Sequence, residues 1–316
     1  MIFENDFNNL SPEQKELLNV YFNGYDYQSS SYTLIANYIW RKTHKISWEV
    51  IGDYLCIGGL GTLETEDGEY FMSMPLTKTG EYEKEGLKKT ILEAKSRFEK
   101  HGKIFEMALI PGHLVPLLKE IFGDDIVIHH DREDDDYIYL KEDLITLKGR
   151  KLHNKKNHLN YFKKNYEYTY EEILPETISE VLVFLDKIND EKMQELPQEW
   201  RHILELETLA IRELLDFVGT GKILTGAIRI GGEIEAVTIG EFSRTNNRES
   251  VLVHVEKAAN AYRGLYQAIN NEFCLHLPEE TIYVNREEDM GMENLRQTKL
   301  SYKPFKLAEK YSAVVK

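Results

Sequence analysis

The sequence predicts a two-domain α/β protein whose sheets mix antiparallel and parallel strands. The chain has 316 residues, more than the roughly 250 to 300 that one hydrophobic core normally serves. Hydrophobic residues make up 42% of it and charged residues 29%, a composition typical of folded globular proteins. Both halves also show the same order of predicted elements: three antiparallel strands, a helix, and a strand parallel to the last of the three. We therefore expect two similar domains, at residues 1–145 and 146–316.

In the first half, short runs of apolar and aromatic residues predict the strands. These runs lie at residues 46–50, 54–57, 70–76 and 104–110. The helix before the last run is predicted by apolar residues at helical spacing, namely Leu87, Ile91, Ala94 and Phe98. A short helix at residues 114–122 and a strand at 126–129 are expected to complete this half.

In the second half, the clearest signal is a hairpin. Gly231-Gly232 separates two apolar runs, and glycine readily adopts the positive φ angles of a two-residue hairpin turn. Strands are expected at 223–230, 233–239, 250–255 and 281–285, with a polar loop at 243–248 and a helix at 264–275. Two amphipathic helices, around residues 178–185 and 203–218, are expected to cover the sheet.

The composition of the chain limits the cellular compartment and the classes of binding partner that we expect. The N-terminus lacks the pattern of a signal peptide, and no stretch approaches the apolar length of a membrane span. Cys56 and Cys274 lie in apolar settings without zinc-binding spacing, so we expect buried thiols and a reducing cytoplasm. The net charge of -15 disfavours general contact with nucleic acid or anionic lipid. Any such contact must be local.

One local exception is a basic segment at residues 148–164, which contains seven Lys or Arg residues and no acidic residue. If the segment is helical, one broad face carries Arg150, Lys151, Lys155 and His158. Leu152, Leu159 and Phe162 then point toward the core. This pattern predicts a phosphate-binding helix. The alternative is a solvated run of charge balanced by the acidic residues 131–136.

Two further segments carry candidate chemistry. In a strand, His254 and Glu256 share one face, where they could act in acid-base chemistry or orient a substrate. The alternative is an ordinary hydrogen-bonded pair. Directly after the last predicted strand come Asn285, Glu287, Glu288 and Asp289, at the strand end where open α/β sheets bind ligands. An acidic helix N-terminus would also explain these residues, and no metal site is expected because a full ligand pattern is missing.

Together with Leu295-Arg296 and residues 299–304, these segments resemble a family of bacterial proteins of unknown function grouped with the C-terminal domain of phosphatidylglycerol lysyltransferase. The resemblance runs along most of the chain and is most specific from residue 148 to 304. It implies two tandem acyl-CoA N-acyltransferase (GNAT) folds, as in the Fem-type peptidoglycan aminoacyltransferases. It further implies transfer of an aminoacyl group from aminoacyl-tRNA to an amine or hydroxyl acceptor.

The sequence departs from ordinary acetyltransferases at their pyrophosphate loop. That loop reads Arg/Gln-x-x-Gly-x-Gly/Ala, with small residues that let backbone N–H groups approach phosphate. Aligning its first glycine on Gly264 puts Ala261 in the Arg/Gln position and the bulky Tyr266 in a small position. This difference weakens the case for acetyl-CoA and strengthens the basic helix as the site that holds phosphate.

The leading hypothesis is an aminoacyl- or acyltransferase with its donor site near the split strands of the second domain. The expected donor-binding residues are Arg150, Lys151, Lys155, Lys156, Arg263 and Gly264. The expected catalytic residues are His254 and Glu256, which would orient or deprotonate the acceptor, while Arg263 or backbone amides would stabilise the oxyanion. The expected acceptor-binding residues are Asn285, Glu287, Glu288 and Asp289.

In this hypothesis the acceptor attacks the bound donor directly, without a covalent intermediate. No cofactor or metal is expected, and aminoacyl-tRNA or acyl-CoA would be the co-substrate for a small-molecule or peptide acceptor. One alternative is a non-catalytic protein that keeps the tandem fold and binds a phosphate-bearing ligand. A plain acetyl-CoA acetyltransferase is another. The sequence leaves the acceptor, the transferred group and the oligomeric state open.

Overall fold

The computed structural model describes residues 2–61, 69–195, 197–244 and 246–316. They form two compact units. The first unit comprises the chain up to Asp136 together with Glu288–Gly291 and Leu307–Lys316, and the second comprises Tyr137–Glu287 and Met292–Lys306. The chain thus returns to the first unit twice near its C-terminus. The predicted boundary after residue 145 does not account for these two segments, which follow it in the sequence but belong to the first unit.

The elements follow one another in the order expected for a mixed α/β protein. The strands are β1 (Asn5–Asp6), β2 (Ser47–Ile51), β3 (Tyr54–Leu60), β4 (Tyr70–Ser73), β5 (Glu106–Pro111), β6 (Ile126–His130), β7 (Asp136–Leu140), β8 (Thr169–Glu171), β9 (Leu224–Ile230), β10 (Glu233–Arg244), β11 (Asn247–Ala258), β12 (Tyr283–Asn285), β13 (Lys306–Ala308) and β14 (Lys310–Val315). The α-helices are α1 (Pro12–Phe22), α2 (Leu34–Trp40), α3 (Lys84–Lys100), α4 (Val115–Phe122), α5 (Lys141–Thr146), α6 (His153–Asn165), α7 (Ile178–Glu195), α8 (Gln198–Leu215), α9 (Leu265–His276) and α10 (Glu293–Ser301).

The sheet of the first unit has the order β1-β2-β3-β4-β5-β14-β6. β2, β3 and β4 are antiparallel, and β5 runs parallel to β4 after the crossover through α3. This order confirms the prediction for the first half. The apolar residues that predicted α3 are buried against the sheet, because spacings of three and four place them on one face of the helix. Cys56 is buried, as is Cys274 in the second unit, and both are free thiols, as expected.

The C-terminal strand β14 was not predicted from the sequence. It inserts between β5 and β6 and is antiparallel to both. At its first residue, Lys310, the side chain is buried and its Nζ lies 2.9 Å from Asp136 Oδ1 and 3.4 Å from Glu288 Oε2. A buried ammonium group is stable only when opposite charges compensate for its lost hydration. Lys310 therefore ties the returning strand to the acidic groups of this unit.

The second sheet has the order β13-β7-β12-β11-β10-β9-β8. β9 and β10 form the predicted hairpin, in which Gly231 and Gly232 have φ angles of 60° and 95°. β11 is antiparallel to β10, and β12 is parallel to β11 after α9. The second sheet thus repeats the order of elements seen in the first, as predicted. Strand β7, which pairs with β12, was not predicted.

The polar segment at 243–248 differs from the predicted loop. β10 continues to Arg244 and β11 begins at Asn247, with these two residues paired across the hairpin. Residue 245 lies outside the described residues. Polar side chains are compatible with an antiparallel ladder whose end faces solvent, because only the backbone groups need to pair there. The loop is therefore shorter than polarity alone indicates.

Helices α7 and α8 are present where amphipathic segments were predicted. Within the part of the chain that the structure describes, no helix is both long enough and apolar enough to cross a membrane.

Replacing Lys310 with Met should lower the free energy of unfolding by about 3 to 5 kcal/mol, because the change leaves the Asp136 carboxylate buried without its ammonium partner. Chemical denaturation at pH 7 measures this loss. Lys100→Met, which changes an exposed lysine on α3, is the control and should alter stability by less than about 0.5 kcal/mol. Equal effects of the two substitutions would contradict the role assigned to Lys310.

Candidate functional site

The candidate site lies where two parallel strands of the second unit separate. β11 and β12 pair only from Ser250–Leu252 to Tyr283–Asn285. β11 then continues to Ala258 without this neighbour, while the chain turns away after Asn285. Ligands of open α/β sheets bind at such strand ends, because separated strands leave side chains and backbone groups free to line a crevice.

His254 lies on the separated part of β11, between two carboxylates. Its Nδ1 is 2.7 Å from Glu287 Oε1, and its Nε2 is 2.9 Å from Glu241 Oε1. Burial lowers the pKa of His254, but the hydrogen bonds and charges of the two carboxylates outweigh burial and raise the pKa to about 10. The ring is therefore an imidazolium at neutral pH and donates both N–H groups. An imidazolium cannot take a proton, so the geometry favours the orienting role predicted for His254 over the deprotonating role.

Glu287 is the more accessible of the two carboxylates that contact His254. Its side chain is 26% exposed, whereas that of Glu241 is 5% exposed. Glu287 has a φ angle of 57°, and its backbone N–H donates to Asn285 Oδ1 at 2.7 Å. This left-handed conformation costs energy for a residue other than glycine. Asn285 and His254 together hold Glu287 in place.

Glu256, two residues after His254, forms a second ion pair. Its Oε1 lies 2.6 Å from Arg286 Nη2, and its Oε2 accepts a hydrogen bond from Asn270 Nδ2 at 2.9 Å. Both oxygens of the carboxylate are thus engaged. Glu256 consequently fixes Arg286 beside the end of β12.

Arg286 belongs to a group of side chains around the buried ring of Tyr302. The guanidinium carbon of Arg286 lies 4.8 Å from the centre of this ring, and Lys155 Nζ lies 4.3 Å from it. Burial, together with the charge of Arg286, lowers the pKa of Lys155 to about 8. Lys155 therefore connects the basic helix to the separated strands.

The basic segment is helical, as expected. A 3-10 turn at Arg150–Leu152 precedes α6, and Leu152, Leu159 and Phe162 are buried. Arg150, Lys151 and Lys156 are exposed, whereas Lys155 is half-buried. This division follows from the helical spacing of the apolar residues.

Gly264 and Arg263 stand just before α9. Gly264 has a φ angle of 91°, and a Cβ at this position would lie 2.3 Å from the backbone oxygen of His158 in α6. Glycine is therefore needed for the close contact between α6 and the start of α9. Arg263 is exposed, with its guanidinium carbon 4.7 Å from the centre of the Tyr161 ring.

The four predicted acceptor residues do not share one environment. Asn285 and Glu287 belong to the second unit, whereas Glu288 and Asp289 belong to the first. There, Glu288 is near Lys310, and Asp289 Oδ2 lies 3.4 Å from Arg132 Nη1. A local run of acidic residues cannot reveal that the chain passes from one unit to the other within it.

Four residues of the site are not among those predicted from the sequence to be catalytic or binding, namely Glu241, Asn270, Arg286 and Tyr302. Arg286 offered a usable signal, because it directly follows the strand whose end was predicted to bind ligand. Its partner Glu256 is thirty residues earlier, and only the parallel register of β11 and β12 brings the two together.

The family of this chain follows from a direct match between its sequence and a family model. The model of the C-terminal domain of phosphatidylglycerol lysyltransferase matches residues 22–314. The chain belongs to this family. The solved structure of a conserved protein of unknown function from Bacteroides thetaiotaomicron is similar to this chain, with 30% sequence identity. The two superpose with a TM-score of 0.83 over 98% of this chain and 99% of that one. The phosphatidylglycerol lysyltransferase C-terminal resemblance predicted from the sequence is confirmed.

One further relative matches in part. An uncharacterized protein of Mycoplasmoides gallisepticum is 28% identical over 191 residues, which span 59% of this chain and 58% of that protein. The match therefore covers little more than half of that relative.

More distant structures confirm the predicted fold class. FemX superposes with a TM-score of 0.64 at 9% identity, over 98% of this chain and 96% of its own. A tandem GNAT protein from the clavulanic acid biosynthesis pathway superposes with a TM-score of 0.51 at 11% identity, over 96% of each chain. This member of the phosphatidylglycerol lysyltransferase C-terminal family thus has the tandem GNAT fold.

The His254 ring should remain protonated at pH 8 and titrate near the pKa of about 10. Because this pKa is raised, the ion pairs should contribute fully to stability below about pH 6.5 and lose that contribution as pH rises through 10. NMR of the ring nitrogens, assigned with His254→Gln, follows the titration. Glu287→Gln should lower the pKa, whereas Glu249→Gln, an exposed control on β11, should not. Deprotonation of the wild-type ring near pH 6.5 would contradict the assigned geometry.

Proposed function

We propose that the protein is an acyltransferase that moves an acyl or aminoacyl group from a phosphate-bearing donor to an amine or hydroxyl acceptor. The donor would be aminoacyl-tRNA or an acyl-CoA. The family and the tandem GNAT fold support an acyltransferase-like function. The observation that carries the proposal is the separation of β11 from β12, with Glu287, His254 and Arg286 at the point of separation.

The basic segment supports a phosphate-bearing donor. Arg150, Lys151 and Lys156 expose their charges, and no acidic residue interrupts residues 148–164. Lysine and arginine bind phosphate groups through charge-assisted hydrogen bonds. Lys155 extends this positive charge to the separated strands, because its ammonium group lies against Tyr302 beside Arg286. A donor bound along α6 would therefore place its reactive end at the crevice.

The start of α9 contributes less to phosphate binding in this proposal. The backbone of α6 lies so close to Gly264 that a methyl group would not fit, and Tyr266 in the first turn of α9 stands where the loop motif has a small residue. A pyrophosphate group needs free backbone N–H groups at a helix start. These features favour α6 over the usual acetyltransferase loop as the principal donor site.

Glu287 is the side chain best placed to take a proton from the acceptor. Its carboxylate is partly exposed and oriented by His254 and Asn285. In the proposed reaction, the acceptor nitrogen or oxygen bonds to the donor carbonyl carbon while Glu287 takes the acceptor's proton. The ester or thioester bond then breaks, and the proton passes to the departing oxygen or sulfur. His254 remains an imidazolium throughout and keeps Glu287 in position, while Glu256 holds Arg286.

Transfer from radiolabelled aminoacyl-tRNA and acyl-CoA donors to a panel of amines and hydroxyl compounds tests the proposal. We expect one donor class to support transfer. Glu287→Gln should then lower kcat about 100-fold or more, with little change in donor KM, because the amide cannot accept the proton. Glu249→Gln, which alters an exposed carboxylate near the start of β11, should leave both constants unchanged.

Two outcomes would contradict the proposal. One is transfer that Glu287→Gln does not slow. The other is a ligand that raises the melting temperature of the protein while no donor yields transfer, a result that would favour the non-catalytic binding protein.

A further inference from the structure

Two cations in the second unit lie against one buried aromatic ring. Lys155 Nζ is 4.3 Å and the guanidinium carbon of Arg286 is 4.8 Å from the centre of the Tyr302 ring. Lys155 comes from α6, Arg286 follows β12, and Tyr302 follows α10. Three separate elements thus bring these groups together near the point where β11 and β12 separate. Attraction between cations and the face of an aromatic ring helps to hold both in place.

The charges around this ring do not balance. Glu256 is the carboxylate that pairs with Arg286, and its second oxygen is bound to Asn270. Arg286 Nη1 is buried and has no hydrogen-bond partner among the described residues. Among the residues that the structure describes, Lys155 also makes no ion pair. Two positive groups therefore face one negative group, and the half-buried Lys155 is the one that solvent reaches.

We propose that Lys155 binds a phosphate group of the donor and takes up a proton as it does so, because its half-buried position beside Arg286 disfavours the charged ammonium group until the phosphate is bound. This inference deepens the proposed function and rests on its phosphate-bearing donor. The remaining basic residues of the segment would attract the donor without such coupling, because they are exposed.

The physical cause of the coupling is the environment of Lys155. Burial and the neighbouring Arg286 charge lower the pKa of Lys155 to about 8, against the opposing attraction of Glu256. A bound phosphate would restore the favourable charge balance and raise that pKa again. Above pH 8 the free lysine is mostly neutral, so phosphate binding must bring a proton with it.

The other groups facing Lys155 do not explain titration in this range. Burial raises the pKa of Tyr302 to about 12, well above pH 9. Arg286 keeps its charge, because its pKa stays above its usual range. Glu256 is held in its ion pair with Arg286. Lys155 is accordingly the group of this cluster whose charge changes near pH 8.

Binding measurements between pH 7 and 9 test the inference without requiring transfer. The probes are dephospho-coenzyme A lacking its thiol and the trinucleotide CCA, whose pyrophosphate and phosphodiester groups do not change charge in this range. Wild-type affinity for the bound probe should fall about tenfold from pH 7 to pH 9, as expected for one group with a pKa near 8. Calorimetry in buffers of different ionisation enthalpy should show proton uptake at pH 8.5.

Matched variants separate this coupling from general attraction. Lys155→Arg keeps the positive charge but does not titrate in this range. The affinity of this variant for the bound probe should therefore change less than about twofold between pH 7 and pH 9, and binding should take up no proton. Lys156→Arg makes the same change at the adjacent exposed position and should retain the wild-type pH dependence. Thermal unfolding verifies that both variants are folded.

Wild-type behaviour of Lys155→Arg would overturn the inference, because another group would then be responsible. Failure of both probes to bind at pH 7 would overturn it as well. Proton-linked binding without acyl transfer would instead support this inference and count against the proposed function, so the two can fail separately.

Discussion

The parallel pairing of β11 with β12 ends after Leu252 and Asn285, and the arrangement of the candidate site depends on this end. If the ladder continued, the backbone of β12 would lie along residues 253–258. Because it does not, side chains from the two strands meet in the space where the strands separate. Glu256 can thus reach Arg286, and His254 can reach Glu287.

Compensation of buried charge determines which of these groups are available for chemistry. His254 is held between two carboxylates, and both oxygens of Glu256 are engaged. Buried charges require such partners, because removing them from water is costly. These residues therefore hold one another in place where the strands separate. Glu287 and Lys155, which are only partly buried, are the groups that a substrate could contact.

Local patterns in the sequence predicted most of the second sheet. The Gly231-Gly232 turn, the helix α9 and the strand parallel to β11 all follow from hydrophobic period and turn chemistry. The apolar spacing in α6 correctly indicated which of its residues are buried. These features depend on neighbours in the sequence, so a single chain suffices to recognise them.

Other features depend on partners that are distant in the sequence. Strand β14 pairs with β5 and β6, far earlier in the chain, and nothing in its own residues indicates this. The acidic residues 287–289 look continuous, yet the chain changes unit between Glu287 and Glu288. The pairing of His254 with Glu241 and Glu287 likewise depends on strand register. The sequence therefore points to His254 and Glu256 but does not reveal which charges neutralise them.

Hydrogen–deuterium exchange with a stable donor analogue tests whether the donor binds where β11 and β12 separate. Suitable analogues are the thiol-free coenzyme A and a CCA trinucleotide carrying an amide-linked amino acid. A donor bound at the separated strands should slow exchange in residues 253–258, in residues 285–287 and along α6. Binding that leaves all three segments unchanged and protects only other parts of the chain would show that the donor site lies elsewhere.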